Sequence, residues 1–158
     1  MTATLRIRPA AADDAAVLLD LLLRAFGEYE GRLDPPSGAN RETVATIAGK
    51  LVAGGAFICR DDALPVGCVF YAPERAHLYV GRLSVPPEQR KRGIGDMLLR
   101  AAEDHARALA LPIVRLRVRI ALAALHAYYA ARGYVSIGSS NHPGYSQPTF
   151  IEMEKRLA

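Results

Sequence analysis

The sequence predicts a single α/β domain of the α+β kind: a mixed, mostly antiparallel central sheet of about seven strands, with one parallel pair and flanking helices. Three observations point there. Short runs alternate apolar and polar residues along much of the chain, as strands buried on one face do. Between them lie stretches with apolar residues at helical spacing. A strand, a basic glycine loop (Gln89-Arg90-Lys91-Arg92-Gly93-Ile94-Gly95) and a long helix also follow directly on one another, the unit that crosses over to a parallel neighbour.

Leu5-Arg6-Ile7-Arg8 alternates and stops at Pro9, a first strand. Asp13 and Asp14 open a helix carrying Val17, Leu18, Leu21, Leu22, Ala25 and Phe26 at helical spacing. Leu19 and Leu23 make it apolar on more than one side, which suits burial between a sheet and another element, or a homodimer contact. Tyr29 to Asn40 is a loop, because Pro35, Pro36 and Gly38 oppose helix. Arg41 to Ala53 returns to helix, with Asn40 as cap and Gly54-Gly55 as stop. Ala56 to Arg60 and Leu64 to Tyr71 flank a turn at Asp61-Asp62-Ala63, and Arg75 to Val85 completes a meander.

In the long helix, Ile94 to Leu109, the residues Ile94, Met97, Leu98, Ala101, His105, Ala108 and Leu109 share one face. Asp96, Arg100, Glu103, Asp104 and Arg107 share the other, with Glu103 and Arg107 spaced as an i,i+4 pair. Ile113 to Arg119 is a strand, Leu122 to Arg132 a short helix stopped by Gly133, and Tyr134 to Ile137 and Thr149 to Lys155 the last two strands. No linker or repeat interrupts the chain, so residues 1–158 form one domain.

With 158 residues, 51% of them hydrophobic, the chain can bury a sizeable core. No apolar run approaches the ~20 residues of a membrane span. No signal-peptide pattern opens the chain, which leads us to expect a cytoplasmic protein without membrane attachment. The net charge of +4 gathers around the glycine loop in Arg82, Arg90, Lys91, Arg92 and Arg100. A nucleic-acid surface would interleave aromatics with its cations, and the row Arg115, Arg117, Arg119 has none. Cys59 and Cys68 form no C-x-x-C pair and no His or Cys cluster has ligand spacing, so no metal is expected and both thiols read as small buried hydrophobes.

The glycine loop is an anion site in the making. Unpaired amides of a first helical turn point at a ligand, the helix dipole adds partial positive charge, and glycines let a phosphate come close. Two motifs then carry a resemblance. Arg90-Lys91-Arg92-Gly93-Ile94-Gly95, preceded by Leu83-Ser84-Val85-Pro86-Pro87, is similar to the acetyl-CoA signature Q/R-x-x-G-x-G/A of the GNAT superfamily of N-acetyltransferases. Tyr128-Tyr129-Ala130-Ala131-Arg132-Gly133-Tyr134 is similar to that family's aromatic-Tyr-x-x-x-Gly-Phe signature. The resemblance covers nearly the whole chain and implies a GNAT-type sheet whose parallel pair splays apart.

It also implies acetyl-CoA as co-substrate, with its pyrophosphate on the loop Arg90, Lys91, Arg92, Gly93, Ile94, Gly95 and Asp96, and its pantetheine arm paired to the backbone of Leu83, Ser84 and Val85. The implied reaction is direct attack of a small molecule's primary amine on the thioester through a tetrahedral intermediate. Tyr129 matches the position of the general acid that protonates the departing thiolate, and a phenol with pKa ~10 carries that proton at neutral pH. Leu122 and Leu125 stand where many members carry an asparagine, and Tyr79 where many carry a glutamate base. That leaves His77, two residues earlier, or Glu28 and Glu30 for the base. The loops Tyr29 to Asn40 and His142 to Pro148 are expected to flank the acceptor. Glu28, Tyr29, His142 and Tyr145 there suit a small cationic amine, an amino acid or a polyamine-like molecule. A non-catalytic acyl-CoA-binding module is the alternative, motivated by the missing asparagine and glutamate.

Overall fold

The computed structural model describes residues 4–158. Its elements in chain order are β1 (Leu5–Pro9), α1 (Ala15–Phe26), α2 (Val44–Ala53), β2 (Gly55–Asp61), β3 (Leu64–Pro73), β4 (Leu78–Ser84), α3 (Ile94–Ala108), β5 (Ile113–Arg119), α4 (Ala123–Ala130), β6 (Val135–Ser140) and β7 (Phe150–Arg156). The strands form a 7-stranded sheet in the order β1-β2-β3-β4-β5-β7-β6, antiparallel throughout except for β4 beside β5. The expected mixed sheet with one parallel pair is therefore present.

Alternation along the central strands feeds two cores. Ile58, Cys68 and Phe70 face α1 and α2, where Leu18, Leu21, Leu22 and Ile47 are fully buried. Cys59, Val69, Val80, Val114 and Leu116 face α3, which contributes Ile94, Leu98, Leu99, Ala102 and Ala106. The apolar face of α1 packs between β3 and α2, with Leu19 partly buried against the same core and Leu23 left exposed. Gly67 sets how closely α3 approaches: a Cβ there would lie 2.8 Å from Ile94 Cγ2 and 3.1 Å from the Ser84 carbonyl oxygen.

Two expectations need correction. The second helix begins at Val44, not Arg41, and its cap is Thr43, whose hydroxyl accepts the Thr46 amide at 3.2 Å. Residues Gly38–Arg41 form a separate 3-10 turn held by Ser37, so Asn40 caps nothing. In α3 the buried face is turned by about one position from the expected one, and it includes Glu103, only 5% exposed. Glu103 accepts the Tyr134 hydroxyl at 2.8 Å and the Lys155 ammonium at 3.2 Å, while Arg107 pairs with Asp104 instead. Those partners lie 31 and 52 residues away and leave no trace in helical periodicity.

Candidate active site

Between β4 and β5 the sheet opens. The two strands pair only at Leu78–Val114 and Tyr79–Arg115, after which they diverge. A bulge in β4 accompanies the opening: the register against β3 passes from Phe70–Gly81 to Cys68–Ser84, leaving one extra residue on β4. Arg82 sits there with φ at +52°, and the Ser84 hydroxyl donates to its carbonyl at 2.8 Å. Val80 to Leu83 and Val85 on one side and Leu116 to Arg119 on the other now line a cleft of about 1550 Å3.

One end of this cleft is the glycine loop. Lys91 and Gly93 both take left-handed backbone angles (φ +64° and +77°), so the chain turns its amides inward and enters α3 through Gly93. A Cβ on Gly93 would meet nothing within 4 Å, which leaves the approach to the first-turn amides of Ile94, Gly95 and Asp96 open. These residues fit a pyrophosphate: a cradle of unpaired N–H groups at the positive end of a 15-residue helix, with the Lys91 cation beside it.

The arginines of the loop are otherwise engaged. Arg90 holds Glu28 at 2.7 Å and donates to the Val85 carbonyl at 3.1 Å. Arg92 reaches back 2.7 Å to Asp61 at the β2–β3 hairpin. They brace the loop against α1 and the sheet, and among the described residues Lys91 is the loop cation with no carboxylate partner. Ser84 is fully buried on the core side, while Leu83 and Val85 line the cleft.

The Asp96 side chain turns away from the cradle to clasp α4. It accepts the Tyr128 hydroxyl at 2.6 Å and two Arg132 bonds at 2.7 and 3.1 Å, and Arg132 stacks over the Tyr128 ring at 3.6 Å. Gly133, at φ +96°, ends that segment and returns the Tyr134 amide to the Tyr129 carbonyl at 3.1 Å. Every residue of the Tyr128–Tyr134 motif with a distinctive side chain or backbone therefore serves to fix Tyr129. Tyr129 is 9% exposed, packed edge-on against Tyr128 and Tyr134, and faces the cleft. Burial pushes its phenol above the ordinary range, and the nearby Tyr29 and Tyr79 phenols oppose its ionisation further.

The remaining expected residues separate into two groups. Glu28, Tyr29, His142 and Tyr145 line the cleft, and the two loops that carry them meet where Tyr145 donates to Asp34. His77 and Glu30 do not line it. His77 lies in the turn before β4, its carbonyl accepting the Glu74 amide at 2.8 Å, and Glu30 is exposed. Burial pushes the Cys68 thiol up to about 12, and both cysteines are core residues away from the cleft. Among the described residues, no cluster of three or more His, Cys, Asp or Glu could hold a metal ion, and no helix is long and apolar enough to cross a membrane.

A family model described as the acetyltransferase (GNAT) family matches residues 17–134. The chain belongs to the GNAT family of acetyltransferases. GNAT structures match it over nearly its full length. The PaiA N-acetyltransferase from Thermoplasma acidophilum, in complex with coenzyme A, superposes with a TM-score of 0.82 at 17% identity, covering 98% of this chain and 99% of that one. The ribosomal-protein-S18-alanine N-acetyltransferase from Escherichia coli gives 0.79 at 16% identity, covering 98% and 95%. A GNAT acetyltransferase from Elizabethkingia anophelis with acetyl-CoA bound gives 0.74 at 17% identity, covering 97% and 98%. At such identities the likeness shows the GNAT fold alone. No curated protein sequence matches the chain.

Proposed function

We propose that this chain is an acetyl-CoA-dependent N-acetyltransferase that moves an acetyl group to the primary amine of a small molecule. The observation that carries the reading is the position of Tyr129, a buried phenol held at the splay of β4 and β5, in the same cleft as the glycine loop. Acetyl-CoA supplies the activated acetyl group. The amides at Lys91 to Asp96 hold its pyrophosphate, and the free backbone edge of β4 near Leu83 and Val85 holds its arm as an added strand would be held. A β4 amide left without a β5 partner stabilises the oxygen that gains charge.

The acceptor's neutral amine attacks the acetyl carbon to give a tetrahedral intermediate, and its collapse breaks the carbon–sulfur bond. The Tyr129 phenol gives its proton to the departing sulfur, and the amine's proton passes to water. Water takes that role because the carboxylates lining the cleft are engaged: Arg90 holds Glu28 well below the usual carboxylate range, and Arg132 and Tyr128 do the same to Asp96. Thiol release from acetyl-CoA, measured against a panel of small amines, tests the proposal. Turnover on one acceptor class supports it. Saturable acetyl-CoA binding without turnover on any acceptor would instead favour an acyl-CoA-binding module.

A further inference from the structure

The charges lining the cleft are lopsided. Arg41, Lys50, Arg82, Arg90, Lys91, Arg117, Arg119 and Arg132 face it, against the carboxylates of Glu28 and Asp96 alone. Glu28 answers Arg90, Asp96 answers Arg132, and Lys91 belongs to the pyrophosphate cradle. Five cations remain, from the α1–α2 loop, α2, β4 and β5.

Three of the five have carboxylates behind the lining. Arg82 and Lys50 lie 3.4 Å from Glu42, whose side chain is 7% exposed, and Arg117 is held by Glu152 at 3.2 Å. Arg41 and Arg119 have no carboxylate within 4 Å among the described residues; Arg119 donates only to the Pro35 carbonyl. A Cβ built on Gly38 would lie 2.9 Å from Arg82 Nη2 and 3.6 Å from Arg41 Nη2. Two guanidiniums thus come within reach of one point, although like charges repel. The half-buried His142 ring lines the same cleft, and burial, then Arg119 and Arg41, push its pKa down. Asp34, whose charge acts on Arg119 without an ion pair to it, accepts the Tyr145 hydroxyl.

Arg41 and Arg119, facing a partly enclosed cleft with no carboxylate within 4 Å among the described residues, call for an anion from outside. We propose that the acceptor of this enzyme is an anionic amine, a primary amine that also carries a carboxylate or phosphate group, and that Arg41 and Arg119 hold that acidic group. The proposal rests on the acetyltransferase reading above and narrows the acceptors expected from sequence to the acid-bearing ones, such as amino acids. Of the residues that suggested a cationic acceptor, the one carboxylate, Glu28, is paired with Arg90. Arg41 is exposed and unpaired, so its replacement removes charge without emptying a buried site.

The test is steady-state thiol release with amino acids, their carboxamides, aminoalkyl phosphates, neutral alkylamines and polyamines, using wild type, Arg41→Gln and Arg119→Gln of equal folded content by circular dichroism. The expected result is turnover on acid-bearing amines, with kcat/KM falling about tenfold or more when the carboxylate is made an amide. Each arginine variant should raise acceptor KM by about tenfold or more and leave KM for acetyl-CoA unchanged. Comparison of amino acids with aminoalkyl phosphates identifies which acid is bound. Preference for polyamines or neutral amines would overturn the proposal, as would a rise in acetyl-CoA KM in place of acceptor KM. Calorimetric titration of CoA-loaded protein with N-acetyl amino acids and N-acetyl aminoalkyl phosphates reads the same site without catalysis. Binding lost in Arg41→Gln would support an anion site even if no acceptor turned over, in which case the acetyltransferase reading alone would fail. Absence of binding by every acid-bearing ligand would sink the anion site.

Discussion

A phenol free in water loses its proton near pH 10. The Tyr129 hydroxyl is buried beside Tyr29 and Tyr79, so it keeps its proton to higher pH. A general acid must be protonated to act; raising its pKa therefore moves the alkaline fall of activity upward. The expected pH–rate profile has no descending limb near pH 10 from this residue, and a limb at or below 10 that disappears in Tyr129→Phe would show that burial does not raise its pKa. His77, in the turn ahead of β4, makes the opposite case. His77→Ala should leave kcat/KM within about twofold of wild type, the range of a surface substitution remote from chemistry, and a loss of two orders of magnitude would restore it as the base. Glu28 has a depressed pKa, so its pairing with Arg90 stabilises the loop above the ordinary carboxylate value and fades as pH falls through the folded one. Acetyl-CoA affinity should accordingly decline below about pH 4, more steeply in wild type than in Glu28→Gln.

At the scale of elements, the cofactor loop depends on how α3 is seated. Gly67 lets Ile94, the first residue of that helix, rest on β3, and an added methyl would force the helix start outward by a few tenths of an ångström. Gly67→Ala should cost about 1–3 kcal/mol of stability by overpacking and weaken acetyl-CoA binding severalfold in a calorimetric titration, although residue 67 does not line the cleft. The far end of α3 makes a different demand. Glu103, buried between Tyr134 and Lys155, holds β7 and the α4 exit against the helix. Removing one partner of such a buried pair costs about 3 kcal/mol. Glu103→Ala should therefore lower the thermal midpoint by several degrees, and an unchanged midpoint would show that the pair contributes nothing net.

At the scale of the whole molecule, the legible parts of the sequence were those set by neighbours along the chain. Alternation in Leu5 to Arg8 and Ile113 to Arg119, the stop at Gly133 and the strand–glycine–helix succession at 83–98 are local patterns, and each is found where periodicity put it. What escaped was set by partners from elsewhere. Arg90 and Arg92 read as anion ligands until Glu28 and Asp61, distant by 62 and 31 residues, come to meet them. The Arg115–Arg119 row reads as a basic stripe until β7 supplies Glu154 and Glu152 opposite its first two members. The same β7 pairing leaves Arg119 over, and it lines the same cleft as Arg41, which comes from a loop 78 residues earlier in the chain. A basic cluster assembled from four separate elements has no sequence signal; only the folded sheet brings it together.

The central claim is that Tyr129 performs proton transfer in a cleft that binds acetyl-CoA through other groups. The measurement that tests it most directly compares wild type with Tyr129→Phe, recording acetyl-CoA affinity and steady-state thiol release on the same acceptor. The account predicts equal affinity, since the amides of the glycine loop are untouched, and a kcat reduced about 100-fold or more, the usual scale of a lost general acid. Turnover at the wild-type rate in the variant, with acetyl-CoA bound equally well, would contradict it.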